Sequence, residues 1–489
     1  MPNRVHPLPL TRLAGAALAL ALAGCVHVPA DTSHAAGPDF ARAQHPSAIK
    51  LPRDAWPNEQ WWLEYNDPQL NQLVAKALQD SPTLAAAQAR VATARAAVRA
   101  EQASSGAQVG LNASLNRQRY SSNGLFPEPI GGAWFDDSTV QLKASYDFDW
   151  WGKHRAQVAA ALGEANARQA EASQAAQTLA AAVAQGYFRL QMLWARQDNT
   201  AALAAVQREL VADRAARVKH GLATIDEQRS AELELGSLDE QAERFATQAA
   251  REREALRALV GAGSEGLSDL ARRAPAAAVA ALPQQLGIEL LARRPDLQAA
   301  RWRVEASLGR VKASEAAFYP DLNLVGAIGL NSVSLGKLLR YGSRTMLAGA
   351  ALELPLFDSG RLEAGLGVAR AERDEIIADY NQSVVNAVRD VAEEGATLQG
   401  IARQQRAQAL ATQSGSQLAA NAEARFKRGL AGRGALLQAK LTVLRQQDVD
   451  LQLADAQLQT QVALVKALGG GYRAAAVQTA AVQASSQHQ

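Results

Sequence analysis

An internal duplication limits how this 489-residue chain can fold more than any other feature of its sequence. Residues 217–223 (RVKHGLA) recur as residues 425–431 (RFKRGLA), at an offset of 208 positions (425 − 217). Residues 82–91 (PTLAAAQARV) resemble residues 295–304 (PDLQAARWRV) at an offset of 213 positions (295 − 82). Two nearly equal offsets, separated by one five-residue insertion (213 − 208), predict two copies of one structural unit.

The hydrophobic pattern of each copy predicts a helix, two strands, a second helix, a turn and a third helix. Residues 67–104 and 284–318 are expected to form the first helices of the two copies. Alternation of apolar and polar residues predicts strands at about residues 108–119, 139–149, 321–331 and 345–356. These segments have the length of a tilted membrane strand, which is about ten residues.

The alternation alone also fits a soluble sheet with one polar and one apolar face. The connection between the first two predicted strands, residues 120–137, argues for a membrane sheet instead. It is polar, contains several glycines and prolines, and carries Trp134 and Phe135. Such a loop, which also contains the five-residue insertion, is typical of the outer rim of a membrane barrel.

Two proline-free stretches of equal length follow the strand pairs. Residues 153–220 and 361–428 each contain 68 residues (220 − 152 and 428 − 360), and an unbroken helix of this length reaches roughly 100 Å. Gly221 and Gly429 then lie where a left-handed helix C-cap is expected. Return helices are predicted at residues 225–260 and 435–468.

The N-terminus has the layout of a secretory signal peptide. Two arginines precede a short apolar segment, residues 13–22, which is too short to span a bilayer as a mature helix. It runs into Leu-Ala-Gly-Cys at residues 22–25, which looks like a bacterial lipoprotein cleavage motif. Cys25 is therefore the predicted lipid attachment residue, and an ordinary signal peptide with an incidental cysteine is the alternative. Val26, where lipoproteins of the inner membrane carry aspartate, points to the outer membrane.

These patterns predict a division of the chain into six segments: signal peptide 1–24, lipid anchor and extended segment 25–66, first repeat 67–262, linker 263–283, second repeat 284–468 and disordered tail 469–489. No other stretch approaches the roughly 18 apolar residues of a membrane helix, so a membrane-spanning mature protein has to be a closed barrel. Four strands cannot close a barrel with a lumen, whereas a homotrimer supplies twelve (3 × 4).

The composition excludes several other classes of protein. One cysteine rules out an internal disulfide, and a net charge of +3 provides no basic field for nucleic acid. The seven histidines are too dispersed to predict a metal site, and neither G-x-S-x-G nor H-E-x-x-H occurs. Abundant alanine with 5% aromatic residues suits helices that pack through small side chains. We therefore predict no enzyme activity, catalytic residue, metal, cofactor or nucleic-acid partner.

Four short segments in this order, together with the lipoprotein motif, resemble the TolC-like outer membrane factor family. The segments are DFDWWGK at 147–153, RRPDL at 293–297, LPLFDSGR at 354–361 and KALGGGY at 466–472. The resemblance covers residues 61–472 and is strongest to the lipoprotein (NodT-type) branch, which serves resistance–nodulation–division pumps.

This resemblance implies a mainly α chain with a membrane β-barrel. Two helix–strand–strand–helix–turn–helix repeats per chain form, in a homotrimer, a 12-stranded β-barrel on a long periplasmic α-barrel. Members conduct substrates passively across the outer membrane. The implied partners are a periplasmic adaptor (membrane fusion protein), an inner-membrane pump of the resistance–nodulation–division class and the lipid of the outer membrane.

The resemblance also assigns roles to two turns and to one group of polar residues. The turns match the adaptor-docking tips of the family, here named tip 1 (Gly221, Leu222, Ala223, Thr224) and tip 2 (Gly429, Leu430, Ala431, Gly432). Family members often carry an acidic gate residue on the second return helix, and the corresponding position is Gln438. Because this sequence departs from the family there, Asp226 and Glu227 of the first copy are the other candidates for the periplasmic gate.

A second interpretation is a lipid-anchored periplasmic coiled-coil scaffold or adaptor. It explains the long helices, but it leaves the four alternating strands and the return to helix after each strand pair unexplained. The exported substrate, whether drug, metal or polypeptide, is not predicted by the sequence.

Overall fold

The structure is a computed structural model that describes residues 28–32, 55–263, 267–274 and 287–473. The chain divides into two compact units, each assembled from three stretches of sequence. Of the described residues, unit 1 contains 28–32, 91–167 and 300–379, and unit 2 contains 55–90, 168–263, 267–274, 287–299 and 380–473. Each unit thus takes residues from both copies of the repeat.

Unit 1 contains one antiparallel sheet whose four strands follow chain order. The strands are β1 (Gln108–Arg119), β2 (Trp134–Phe148), β3 (Asp321–Ser332) and β4 (Arg344–Glu353). β2 starts five residues before the predicted position 139, because Trp134 pairs with Arg119 at the end of β1. β4 ends at Glu353 and not at 356, since Pro355 has no backbone N–H for a ladder.

The register of the strands gives the sheet one apolar and one polar face. On the apolar face, residues that pair across neighbouring strands form rows of large side chains. One such row contains Leu111, Leu142, Ile328 and Met346. On the polar face, Gln141 donates to Thr345 at 3.4 Å, and Asn331 donates to Asp137 and Thr139 at 2.8 Å each. The alternation seen in the sequence is therefore a property of the whole sheet.

Eight α-helices are assigned within the described residues: α1 (Pro68–Asp80), α2 (Pro82–Ser104), α3 (Lys153–Lys219), α4 (Ile225–Leu259), α5 (Gly287–Arg293), α6 (Pro295–Ala316), α7 (Arg361–Lys427) and α8 (Arg433–Ala467). α3 and α7 have 67 residues each, and α4 and α8 have 35 each. The fold class with two helix–strand–strand–helix–turn–helix repeats is confirmed. No helix in the described parts of the chain combines the length and apolar character needed to cross a membrane.

The prediction of single first helices was wrong in both repeats. The segment 67–104 is split between α1 and α2, and the segment 284–318 is split between α5 and α6. Both splits fall immediately before a proline that starts the next helix. Ser81 has an extended backbone (φ −69°, ψ 122°), as the residue before Pro82 is expected to have.

Close helix packing in unit 1 depends on glycine. A Cβ atom on Gly163 of α3 would lie 2.9 Å from the carbonyl oxygen of Trp302 in α6. A Cβ on Gly309 of α6 would lie equally close, 2.9 Å, to the carbonyl oxygen of Ala156 in α3. The helix backbones approach so closely that only glycine fits, in agreement with the small-residue packing that the composition predicts.

The core of unit 2 joins the start of the first repeat to the middle of α3. Tyr187 and Phe188 are almost fully buried, and the Tyr187 hydroxyl donates to the buried carboxylate of Asp67 at 2.5 Å. Burial and this hydrogen bond raise the pKa of Tyr187 far above its ordinary value. The ordered start of the first repeat is thus attached to the long helix.

The beginning of the predicted tail packs in unit 2. Gly469, Gly470 and Gly471 are buried and have positive φ, and Gly469 lies against the carbonyl of Arg293. Arg294 donates to the carbonyl of Ala467 at 3.1 Å. The prediction of a disordered tail from residue 469 was therefore wrong for these glycines, because they fit into positions where a Cβ atom would collide with neighbouring atoms. Residues 474–489 lie outside the described residues.

Candidate functional site

Tip 1 closes the end of α3 with a hydrogen-bond pattern that needs a left-handed residue. Gly221 has φ +71°, and its N–H donates to the carbonyl of Val218 at 3.0 Å. The N–H of Leu222 donates to the carbonyl of Arg217 at 2.8 Å. These two bonds form a Schellman motif, in which glycine adopts the left-handed conformation without steric cost.

Tip 2 repeats this geometry at the end of α7. Gly429 has φ +72° and donates to the carbonyl of Phe426 at 2.9 Å, and Leu430 donates to the carbonyl of Arg425 at the same distance, 2.9 Å. The left-handed caps predicted at Gly221 and Gly429 are confirmed. The leucine after each cap points outward: Leu222 is 68% exposed and Leu430 is 73% exposed.

The two tips differ in how the return helix begins. Thr224 caps the N-terminus of α4, because its side-chain oxygen accepts a hydrogen bond from the N–H of Glu227 at 3.3 Å. Gly432 stands at the same position before α8 and offers no side-chain cap. Ala223 and Ala431 are half-buried within the turns. Each tip therefore presents one apolar side chain on a turn that the backbone itself holds.

Basic residues surround both exposed leucines. The last turn of α3 carries Arg217 and Lys219, and the last turn of α7 carries Arg425 and Lys427. Positive charge at a helix C-terminus is favourable because it opposes the negative end of the helix dipole. Acidic residues are also present: Asp226 and Glu227 begin the helix after tip 1, and Lys427 pairs with Glu423 at 2.8 Å.

The three candidate gate residues lie around one cavity in unit 2. Asp226 and Glu227 of α4 and Gln438 of α8 line a cavity of about 420 Å³, and all three side chains are exposed. The structure thus brings together residues that are about 210 positions apart in the sequence (438 − 227 = 211). Both return helices contribute to this cavity near their first turns.

Several ion pairs that we did not predict cross between helices in this region. Arg214 of α3 pairs with Glu227 at 2.6 Å. Arg445 of α8 pairs with Glu234 of α4 at 2.7 Å, and Arg433 of α8 pairs with Glu209 of α3 at 3.0 Å. The last two pairs connect the hairpin of the first repeat (α3 and α4) to α8 of the second repeat.

A further pair holds the same helices together away from the tips. Arg196 of α3 makes two hydrogen bonds to Asp448 of α8, at 2.8 and 3.0 Å, and its guanidinium lies 4.5 Å from the ring centre of Phe245 in α4. Both charged side chains are mostly buried, so this pair is less screened by solvent than those near the tips. The contacts near the tips are therefore the weaker ones.

The predicted lipid attachment residue, Cys25, lies outside the described residues, but the segment just after it is attached to unit 1. Val28 packs against Val311 and Leu366. Asp31 accepts a hydrogen bond from Arg373 of α7 at 2.6 Å, and this contact raises the pKa of the Arg373 guanidinium above its ordinary value. Residues 28–32 therefore follow α7 as a bound segment.

Comparisons with known proteins agree with this architecture. A family model described as "Outer membrane efflux protein" matches residues 73–262 and 286–470. The multidrug resistance outer membrane protein MdtP of Escherichia coli is 38% identical over 438 residues, which cover 88% of this chain and 90% of MdtP. MdtQ, a multidrug resistance outer membrane protein from another Escherichia coli strain, is 35% identical over 93% of this chain and 97% of its own length.

A solved structure has the same fold. The crystal structure of the outer membrane protein VceC from Vibrio cholerae aligns with a TM-score of 0.77 and 32% sequence identity, over 86% of this chain and 100% of that one. The coiled-coil scaffold interpretation is thereby set aside, because the similarity extends through strands and helices alike. With the matches to MdtP and MdtQ, these findings place the protein in the outer membrane, with its helices extending into the periplasm. The chain belongs to the outer membrane efflux protein family.

Proposed function

We propose that three copies of this chain form one duct through the outer membrane and that the duct conducts small organic molecules passively. The observation that supports this most is the sheet of unit 1, whose β1 and β4 are free edges and whose apolar face is exposed. Lipid does not tolerate open sheet edges, so the edges have to pair with other copies. Three sheets of four strands close a 12-stranded barrel.

The two faces of the sheet then have different surroundings. The apolar face contacts lipid, and the polar face, which carries Gln141, Lys143 and Asn331, lines the lumen. Small residues on the polar face of β3 and β4, such as Ala327, Gly329 and Gly349, would leave the lumen wide. The names of MdtP and MdtQ favour drug-like cargo.

The tips are the proposed docking site for a periplasmic adaptor, which in turn connects the duct to an inner-membrane pump of the resistance–nodulation–division class. Six tips, two per chain, would face the inner membrane at the far ends of α3 and α7. The equal length of these helices, 67 residues each, supports this arrangement, since it would bring both tips of a chain to one level.

The gate is proposed to be the set of ion pairs between α8 and the first hairpin, together with Asp226, Glu227 and Gln438. Glu209 and Glu234 are about half exposed, so each pair is worth about 0.2–1 kcal/mol. Bonds of this strength suit a gate, because an adaptor that binds the tips could break them. A two-state equilibrium shifts roughly fivefold for each 1 kcal/mol of differential stability.

Conductance in planar bilayers tests both the duct and its gate. We expect the purified wild-type trimer to open rarely, and Glu209→Gln with Glu234→Gln to raise mean conductance roughly fivefold by weakening two pairs. The control is Glu240→Gln with Glu254→Gln, which removes two ion pairs within α4 and should leave conductance unchanged.

The possible results separate the two proposals. If neither the wild type nor the gate variant forms conducting, heat-sensitive trimers, the duct itself is contradicted. If both conduct equally, only the gate assignment fails. A rise in the control variant would also contradict it, because the effect would then not depend on pairs that cross between hairpins.

The anchor is proposed to be a lipid on Cys25. Val28 is three positions after Cys25 (28 − 25), so chain geometry limits the Cα–Cα distance to about 11 Å. Val28 contacts Leu366, in the second turn of the helix that follows β4, which would keep the lipid near the sheet. Radioactive palmitate should label the wild-type chain and not Cys25→Ser, and equal labelling of both would contradict the assignment.

A further inference from the structure

On the apolar face of the sheet, positive charge is confined to one end of the strands. The four strands contain four basic residues, and Lys143 alone lies on the polar face, opposite Gly110 and Ala327. The other three are Arg117, Arg119 and Arg344. Each of them lies at the loop end of its strand, away from the helices.

The register shows that these arginines share the apolar face. Arg344 stands in one row with Leu330, Val140 and Ala113, which are successive partners across the sheet. Arg117 and Arg119 continue the alternation of Leu111 and Leu115 along β1 and therefore point to the same side. Toward the loops, the apolar surface of this face is therefore bounded by arginines on β1 and β4, which are the two edge strands.

Neighbouring aromatic rings orient the side chains of Arg117 and Arg344, but little of the positive charge on this face is neutralised. Arg117 is 71% exposed and lies 3.9 Å from Asp136, the one acidic residue of the strands on this face, which leaves an excess of two positive charges (3 − 1). Arg344 stacks over Tyr341 at 4.1 Å, and Arg117 lies 5.7 Å from the ring centre of Trp134. Stacking orients a guanidinium while its N–H groups stay available to an anion.

We propose that Arg117, Arg119 and Arg344 bind the phosphate groups of the glycolipid that forms the outer leaflet of the outer membrane. This inference rests on the proposed function, which places the apolar face in lipid and the tips toward the inner membrane. The loops between the strands, at the strand ends away from the long helices, then lie on the outer side of the membrane. An amphiphile whose acyl chains cover Leu111, Leu115 and Leu330 brings its headgroup to the level where the arginines begin. Guanidinium groups match phosphate well, since they donate two parallel hydrogen bonds.

The location of the arginines at both sheet edges adds a consequence for assembly. In the proposed ring, β4 of one copy lies beside β1 of the next, so Arg344 of one chain and Arg117 and Arg119 of its neighbour are brought to the same seam. A phosphorylated glycolipid bound there would bridge two copies. A soluble anion has no reason to prefer this site, because the neighbouring rows are apolar.

Native mass spectrometry of purified full-length trimers tests the proposal, with diphosphorylated lipid A as the probe. We expect the triple variant Arg117→Gln, Arg119→Gln and Arg344→Gln to bind lipid A at least about tenfold more weakly, which corresponds to 1.4 kcal/mol. The triple lysine variant should keep most of the affinity. A control with equal loss of charge, Arg244→Gln, Arg251→Gln and Arg253→Gln on α4, should bind like the wild type.

Dephosphorylated lipid A, phosphatidylglycerol and inorganic phosphate complete the test. Weak binding of all three by the wild type supports the assignment to a phosphorylated glycolipid. The proposal is overturned if the triple glutamine variant binds lipid A as well as the wild type does, or if any of the three probes matches lipid A. Channel conductance is measured on the same samples, so that loss of the duct is recognised separately from loss of lipid binding.

Discussion

Replacing Leu222 and Leu430 together by aspartate should abolish drug efflux while the trimer still assembles and conducts. Both side chains are exposed, at 68% and 73%, so the substitutions remove little core packing. A carboxylate at the centre of each tip would face the proposed adaptor surface, which we expect to be apolar where it meets the leucine. Desolvation of a carboxylate at six tips together should prevent docking.

The measurements are drug susceptibility of a strain that depends on this channel, crosslinking to the adaptor, and the amount of heat-sensitive trimer. Leu233→Asp is the matched control, because Leu233 is 78% exposed on α4 but lies outside both tips. Normal efflux by the double variant, at normal expression, would contradict the proposal that the tips dock the adaptor. Loss of the trimer would instead show that the leucines pack between helices.

Alanine at Gly221 is a poorer probe, since a side chain in the left-handed cap costs about 1 kcal/mol by itself.

The tips and the sheet could be predicted from sequence because their determinants are local. The Gly-Leu-Ala motif recurs after two helices of equal length. A glycine in the left-handed conformation explains why each helix ends there. In the sheet, side-chain alternation fixes the face of each residue, and Leu142 and Lys143 lie on opposite faces for that reason. The helix breaks before Pro82 and Pro295 were missed although the prolines were visible, because apolar spacing continues across both of them.

The ion pairs near the gate could not be predicted, since their partners are distant in the sequence. Arg445 and Glu234 are separated by 211 positions (445 − 234), and many charged residues on α4 and α8 have similar spacing. Which of them meet depends on the rotation of each helix about its axis, which the packing of small side chains determines. The gate candidates chosen by resemblance nevertheless line one cavity with Arg445, Glu234 and Arg214.

The packed glycines after α8 show a second limit of structure prediction from sequence. Gly469, Gly470 and Gly471 follow a helix and precede a polar end of the chain, a pattern typical of a flexible tail. In the structure, Gly469 and Gly471 lie against the backbone of Arg293 and Asn58, and Gly470 lies against the side chain of Gln177. A run of glycines permits both results, and only the surrounding backbone decides between them.

Leu142→Arg should reduce trimer assembly more than any other single substitution in the sheet. Leu142 lies in the second strand, between Leu111 of β1 and Ile328 of β3, and no loop is close in the register. If this face contacts lipid, arginine there costs about 2–4 kcal/mol per chain near the bilayer midplane. Because each trimer contains three copies, even the lower value should leave little assembled channel in the outer membrane.

Lys143→Glu is the control, because it changes two units of charge one residue away on the polar face, opposite Gly110 and Ala327. We expect near-normal trimer on semi-native gels for Lys143→Glu, with an altered preference for cations over anions, since the side chain lines the lumen. Normal assembly of Leu142→Arg combined with failure of Lys143→Glu would mean that the faces are reversed. Normal assembly of both would mean that neither face lies in hydrocarbon, and the membrane interpretation of the sheet would then be wrong.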